Sequence, residues 1–305
     1  MHAAAKHVAA AHVERRRRRK PLALASFAAF QRRRDVNVER LNRADRVIAM
    51  SNRVAEIYSQ LGVDPGRLRT IHLTLAHIER LRPRRVDVGD APLTFATLAG
   101  FESVAKGGRL LIETMRLLGD HASAGRFRLL VLGHVNRRLA EEARGVPGIE
   151  VRGRYLPAEV DTILDDVDVG LMPSIWEEAY GYAGMEFLAK GIPVIANAIG
   201  GMTDYTREGE TGWLNRSCSA TELAGIIADV IERPEQVREL NSPLLASREA
   251  IVKPLSRHAD EMDAIYRERS RRAPPDRRGP SGVLAAPSRE HRRELGALAE
   301  DPLDL

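Results

Sequence analysis

Short apolar runs alternate with amphipathic helical patterns over the second part of the chain. The strand-like runs are 94–99, 128–132, 150–152, 167–172 and 193–196, and the helical patterns between them are 109–118, 136–144, 158–165 and 181–190. Strands that alternate with helices of ~10–15 residues are typical of βαβ units with right-handed crossovers on a parallel sheet. The pattern therefore predicts an α/β domain with a doubly wound, Rossmann-like parallel sheet over residues 86–245.

A shorter α/β pattern precedes this domain at residues 41–85. Residues 46–50 read as a buried strand, Ser51 as the N-cap of a helix that ends at Gly62, and residues 70–75 as a second strand. Residues 79–92, with two prolines and mixed charge, read as a linker. After the large domain, residues 246–271 are expected to form a helix, and the proline-containing residues 272–305 to be a disordered tail.

The charge of the chain is concentrated at one end. Residues 1–40 contain eleven basic and three acidic side chains, which leaves 36 basic and 39 acidic ones in the rest. Nucleic acid is therefore an unlikely partner for the whole protein. We interpret residues 1–40 as a basic helical or arm segment; its run Arg15–Lys20 is either a solvated surface or a peripheral contact with an anionic membrane.

The number of cysteines and the length of the apolar runs bear on where in the cell the protein is expected. Cys218 is the only cysteine, which excludes an internal disulfide and fits a reducing compartment. No uncharged apolar run approaches the ~18–20 residues that a membrane-spanning helix needs. We expect a cytoplasmic protein, with the inner membrane face as a possible peripheral location.

The most informative stretch, residues 173–196, follows a predicted strand. A loop presents Glu178, Gly181 opens the next helix, and Glu186 lies about one and a half turns into that helix. Free N–H groups and the positive dipole end at a helix start can bind a phosphate or diphosphate. Two carboxylates on either side of such an anion site are suited to accept hydrogen bonds from sugar hydroxyls. Taken singly, a glutamate at the start of a helix is most often a solvated residue or one that stabilises the helix dipole.

The spacing from Ser174 through Glu178 and Glu186 to Ala196 resembles the E-x7-E signature of retaining glycosyltransferases of family four, which have the GT-B fold. Gly100–Gly107 resembles the phosphate-binding loop of that family, Leu130–Gly133 its next strand and glycine turn, and Val151–Tyr155 its base-contacting loop. The motifs occur in the order found in the family and span about residues 93–240.

The resemblance implies a role for each matching residue. Glu186 would bind the ribose hydroxyls of a nucleoside-diphosphate sugar, and Glu178 would face the transferred sugar. Lys106 would neutralise the diphosphate together with the amides around Tyr180 and Gly181, so that Glu178 and Lys106 are the candidate catalytic residues. The other candidate donor-binding residues are Gly107, Gly133, Gly153 and Tyr155. The resemblance implies no metal and no cofactor beyond the nucleotide sugar.

Two departures from the family pattern qualify these expectations. An arginine is common directly after the first glycine of the phosphate loop, whereas Phe101 stands here; Phe101→Arg would then tighten diphosphate binding, unless Arg109 or Arg154 already replaces the missing charge. The acceptor domain is also incomplete, because residues 41–85 match only its end. A start codon further upstream, a partner chain that supplies the acceptor domain, or a loss of catalysis would each explain this.

Two functions therefore stay open for the sequence. The first is a glycosyltransferase that retains anomeric configuration and acts on an unknown acceptor, which could be a polysaccharide, a lipid or a small molecule. The alternative is a non-catalytic or partner-dependent subunit that binds a nucleotide sugar.

Overall fold

The computed structural model describes residues 27–87, 89, 91–119 and 125–272. The helices are α1 (Phe27–Arg43), α2 (Asn52–Gln60), α3 (Gly108–Gly119), α4 (Arg137–Ala143), α5 (Val160–Ile163), α6 (Tyr182–Lys190), α7 (Ala220–Glu232), α8 (Glu235–Ala246), α9 (Arg248–Ile251) and α10 (Leu255–Arg272). The strands are β1 (Val47–Ala49), β2 (Leu68–Thr70), β3 (Leu93–Thr97), β4 (Phe127–Leu132), β5 (Ile149–Gly153), β6 (Val169–Met172), β7 (Val194–Asn197) and β8 (Gly212–Asn215). The predicted contact through Arg15–Lys20 and the predicted tail at 273–305 lie outside the described residues.

A parallel sheet with the strand order β5-β4-β3-β6-β7-β8 forms the centre of the large domain. Every residue of β3 is buried, as expected for a strand covered by helices on both faces. The order steps outward from β3 in both directions, so the prediction of a doubly wound parallel sheet is confirmed. The strand β8 was not predicted, because its sequence Gly212-Trp-Leu-Asn is too short to show a period.

Two layers of apolar side chains cover the two faces of this sheet. One layer contains Leu111, Met115 and Ile227 from α3 and α7, and the other contains Phe187 and Leu188 from α6. Because α6 is buried from Gly184 to Lys190, this part of the helix has a fixed position relative to the sheet.

The residues before the large domain form a separate two-stranded parallel sheet from β1 and β2. Ser51 is the N-cap of α2, as predicted, and its hydroxyl accepts a hydrogen bond from the backbone N–H of Val54. The strand predicted at 70–75 is shifted to Leu68–Thr70. The reason is that the chain leaves the ladder after Ile71 and turns to the large domain, where His72 contacts Asp204.

The predicted linker at 79–92 is wrong in part, because Leu81 and Val86 anchor it to the large domain. We call residues 72–87 the strap. Within the strap Ile78, Leu81 and Val86 are buried in the two apolar layers of the large domain. The N–H of Arg84 also donates to the carbonyl of Lys190, at the end of α6. The strap is therefore part of the core and not a free connection.

Asp204 joins the N-terminal segment to the large domain. Its Oδ2 accepts hydrogen bonds from the Asn52 N–H (2.7 Å) at the start of α2 and from His72 Nε2 (2.8 Å), and its side chain is buried. We expect Asp204→Ala to lower the free energy of unfolding by about 1–2 kcal/mol, because it leaves two donors unpaired.

Urea-induced unfolding measures this effect. The matched control is Asp229→Ala, which breaks an exposed ion pair with Arg233 at the end of α7 and should cost less than about 0.5 kcal/mol. Equal losses for both variants would contradict the role given to Asp204.

The chain divides into a compact unit that ends at Ile265 and a second one that begins at Tyr266. Of the second unit the structure describes the end of α10. Helix α1 has no buried residue along Phe27–Arg43, which agrees with a solvated helix for this part of the basic segment. None of the helices in the described part of the chain is long and apolar enough to cross a membrane.

Candidate functional site

The loops that follow the carboxyl ends of β3 and β6 meet at one point, where Lys106 pairs with Glu178. The ammonium Nζ of Lys106 lies 2.6 Å from Oε1 of Glu178, and both side chains are partly buried. In an open α/β sheet ligands bind beyond the carboxyl ends of the strands, so the pair lies where a ligand is expected. The structure thus brings together the two candidate catalytic residues.

Backbone contacts hold these two loops against each other. The N–H of Ile175 donates to the carbonyl of Ala105, and the amide of Asn197 donates to the carbonyls of Pro173 and Ser174. At Gly107 the backbone has φ +91°, and a Cβ there would lie 2.1 Å from the Pro173 carbonyl oxygen. Only glycine therefore allows the loops to approach this closely.

Helix α6 begins beside the Lys106–Glu178 pair. Its N-cap is Gly181, in the left-handed region at φ +79°, and glycine has no side chain to occupy the first N–H groups of the helix. These N–H groups and the helix dipole favour an anion at this point. Tyr180, which precedes the cap, is buried, so its backbone and not its phenol could serve a ligand.

Gly181 and Gly184, at the start of α6, lie against the side chain of Tyr205. A Cβ at Gly184 would lie 2.3 Å from the hydroxyl of Tyr205, and one at Gly181 2.8 Å from the same atom. The Tyr205 hydroxyl donates to the Gly181 carbonyl at 2.9 Å. Because these two residues have no side chain, the ring of Tyr205 can lie against them, and its hydrogen bond to the Gly181 carbonyl fixes the start of α6.

Glu186 lies further along α6 and is largely buried. Its Oε1 is 2.6 Å from Nε2 of His77, a residue of the strap. Burial raises the pKa of the Glu186 carboxyl above its usual range, and the hydrogen bond from His77 acts in the opposite direction. Glu186 is thus a largely buried carboxyl, and its hydrogen bond with His77 favours the ionised form of that carboxyl.

Tyr155, Gly153 and Gly133 lie near the carboxyl ends of β4 and β5. The N–H of Gly133 donates to the carbonyl of Gly153, so the two glycines are in contact. Burial, and secondarily the charge of Glu186, raise the pKa of Tyr155 to about 12. Leu132, Gly153 and Tyr155 line part of a cavity of about 430 Å³. Tyr155 therefore lies between this cavity and Glu186, while a Cβ at Gly153 would meet only open space.

The expectation for Phe101 is wrong. Its side chain is fully buried in the apolar layer next to α3, so an arginine at this position would place a charge in the core instead of at the diphosphate. Of the two possible substitutes, Arg109 pairs with Glu142, whereas Arg154 contacts His134 beside the β4 loop.

The structure adds residues from the N-terminal segment that the sequence reasoning missed. Arg53 pairs with Glu177, the neighbour of Glu178, at 2.7 Å and holds the pKa of that carboxyl below its usual range. His72 stacks on Tyr180 with ring centroids 5.3 Å apart, and His77 contacts Glu186. These contacts join positions more than a hundred residues apart, and no local pattern marks them. Among the described residues no group of three or more His, Cys, Asp and Glu side chains could hold a metal ion.

The comparisons with known proteins agree with this geometry. Residues 92–233 match the family model described as "Glycosyl transferases group 1". The chain is 28% identical over 225 residues to WcaL of Salmonella typhimurium, whose name refers to a colanic acid biosynthesis glycosyltransferase; the match covers 71% of this chain and 54% of WcaL. The chain spans about half the length of the curated relatives it matches.

Solved structures share the fold of the chain. HepE of Anabaena, crystallised with UDP and glucose, superposes with a TM-score of 0.65 and 18% identity over 78% of this chain and 67% of HepE. The sucrose-phosphate synthase of Thermosynechococcus elongatus superposes with a TM-score of 0.66 and 22% identity over 82% of this chain and 65% of that enzyme. Residues 92–233 are therefore similar in sequence to group 1 glycosyl transferases, and the chain has the GT-B fold of its structural neighbours.

Proposed function

We propose that this protein is a glycosyltransferase that moves a sugar from a nucleoside-diphosphate donor to an acceptor with retention of anomeric configuration. The observation that carries the proposal is the Lys106–Glu178 pair beside the uncapped start of α6, with Glu186 further along the same helix. The family match of residues 92–233 and the likeness to HepE, crystallised with UDP and glucose, support it.

The reaction requires that charge on the leaving group be stabilised. The bond between the anomeric carbon and the diphosphate oxygen breaks, the acceptor oxygen bonds to that carbon, and the proton of the acceptor hydroxyl passes to the diphosphate that leaves. Lys106 and the N–H groups at the start of α6 would stabilise the negative charge that grows on the diphosphate. Glu178 would face the sugar, Glu186 would accept from the ribose hydroxyls, and the cavity beside Tyr155 would receive the base.

No metal or further cofactor is part of the proposal, since an ammonium group and helix amides supply the positive charge. The acceptor stays open, as does a partner chain that supplies acceptor-binding elements. The comparisons do not favour the alternative, a non-catalytic nucleotide-sugar-binding subunit.

Glu186 provides the first test. UDP should raise the melting temperature of the parent protein, and Glu186→Ala should weaken UDP binding about tenfold by removing hydrogen bonds to the ribose. At a UDP concentration near the parental Kd the thermal shift should then almost disappear. Differential scanning fluorimetry with UDP, GDP and ADP measures this and also identifies the base.

Glu186→Gln separates loss of binding from loss of folding. Because the pKa of Glu186 is raised, ionisation of this carboxyl lowers the stability of the fold as the pH rises through that pKa. The glutamine variant should therefore melt at a higher temperature than the parent in neutral buffer without ligand, with the advantage lost at low pH, and should still respond less to UDP. A parental UDP response in both variants would refute the role of Glu186.

A further inference from the structure

His77 is a polar residue in an otherwise apolar part of the strap, and it faces Glu186. Its Nε2 lies 2.6 Å from Oε1 of Glu186, and 32% of its side chain is exposed, against 12% for the carboxylate. The two residues are 109 positions apart in the chain. The contact therefore depends on the way in which the strap crosses α6.

The position of His77 does not depend on its own side chain. The next residue, Ile78, and Leu81 are buried in the apolar layer that includes α6. The guanidinium of Arg248 donates to the carbonyls of Ile78 (3.4 Å) and Leu81 (3.0 Å). Because these contacts hold the strap, truncation of His77 should leave the backbone in place.

The pair occupies only one of the two carboxylate oxygens of Glu186. Oε1 accepts from His77, whereas Oε2 has no hydrogen-bond partner among the described residues. The Glu186 side chain is 12% exposed, so Oε2 can be reached from outside, and a ligand hydroxyl that donates to it would form a charge-assisted hydrogen bond. A hydrogen bond to one oxygen also restricts rotation of the carboxylate, which reduces the entropy that is lost when the ligand binds.

We propose that His77 is a positioning residue for the nucleotide: it donates from Nε2 to Glu186 Oε1 and so holds Oε2 ready to accept from a ribose hydroxyl. The inference rests on the proposed function, since it assumes that Glu186 binds the ribose of a nucleoside diphosphate. His77 itself acts through Glu186 and does not contact the reacting atoms.

The test compares two probes that differ only in the ribose hydroxyls, UDP and 2′,3′-dideoxy-UDP. For His77→Ala, calorimetry should give about tenfold weaker binding of UDP, the size expected for loss of one charge-assisted hydrogen bond, and unchanged binding of the dideoxy compound. A general disturbance of the site would weaken both probes. The ratio of the two dissociation constants is therefore the readout.

Two further variants test whether His77 acts as a hydrogen-bond donor and whether it acts through Glu186. His77→Gln places an amide donor near the position of Nε2 and should restore most of the preference for UDP, which a purely steric role would not require. In a Glu186→Gln background, His77→Ala should have less effect on the ratio than it has in the parent, because the group on which it acts has changed. The matched control is His258→Ala, which removes a contact between a histidine of α10 and the carbonyl of His72 in the strap and should leave the ratio unchanged.

The outcomes separate the two proposals. If the parent binds UDP and prefers it to the dideoxy compound, but His77→Ala keeps that preference, the role of His77 is refuted and the proposed function stands. If the parent binds none of UDP, GDP and ADP, the proposed function is refuted and the role of His77 with it. Loss of the preference in His77→Ala with recovery in His77→Gln establishes the role.

Discussion

Glu178→Gln should lower the rate of sugar transfer by about 100-fold or more while UDP binds as tightly as to the parent, or more tightly. In the unliganded protein the Glu178 carboxylate is paired with the Lys106 ammonium at 2.6 Å. A bound diphosphate would compete with this carboxylate for the same ammonium. Removal of the negative charge therefore frees Lys106 for the diphosphate, but it also removes the group proposed to face the sugar.

This opposite change of rate and affinity can be measured without knowledge of the acceptor. Hydrolysis of UDP-glucose, with water as the acceptor, reports on the chemical step, and calorimetry with UDP reports on affinity. The matched control is Glu177→Gln, which removes the neighbouring carboxylate that pairs with Arg53 and should keep near-parental values of both. A parallel loss of rate and of UDP affinity in Glu178→Gln would show that Glu178 holds the nucleotide and does not act on the sugar.

Lys106→Met should weaken UDP binding by about 10–100-fold, which corresponds to one charge-assisted hydrogen bond of about 1.5–3 kcal/mol. Two effects add in this variant. The cation beside the start of α6 is lost, and Glu178 is left as an unpaired negative charge next to the diphosphate. The double variant Lys106→Met with Glu178→Gln should therefore bind UDP more tightly than Lys106→Met alone, because only the first of these effects remains.

Binding of uridine distinguishes loss of the Lys106 charge from a general change in the shape of the site. Uridine lacks the diphosphate, so it should bind equally to the parent and to Lys106→Met. Lys253→Met is a matched control, since Lys253 also forms a 2.6 Å pair with a glutamate, Glu261, but does so beside α10. Its UDP affinity should be parental. If Lys106→Met binds UDP as the parent does, or if uridine is weakened to the same extent as UDP, Lys106 does not serve the diphosphate.

The sheet domain could be predicted from the sequence because its signals are local. The strand-like run predicted at 94–99 overlaps β3, whose residues are all buried, and the helical patterns predicted at 136–144 and 181–190 overlap α4 and α6. Strand β8 was missed because four residues carry too little pattern. The packing of the strap was missed because its prolines and charges suggest a loop, while only a few buried anchors fix it to the core.

The candidate residues of the site could be picked out from the sequence, but their contacts with distant segments of the chain could not. Glu178, Glu186 and Lys106 were picked out from their spacing along the chain, whereas the ion pair between Glu178 and Lys106 was not predicted. The contacts of His77 and of Asp204 could not be predicted, since each depends on how segments distant in sequence cross. Phe101 shows the opposite error, because a position inside a loop motif was assumed to face the ligand although its side chain is in the core.

The burial of the strap has a consequence for anyone who trims this protein for expression. The segment that matches the family model begins at residue 92, after the strap, and ends at residue 233, before α8. Both apolar layers of the sheet are completed by residues outside those limits, among them Val86 and Leu240 on one face and Leu81 and Leu244 on the other. A fragment cut at the homology boundaries would expose these faces to water and favour aggregation. A piece that keeps both apolar layers complete extends from the strap through Val252, the residue after α9.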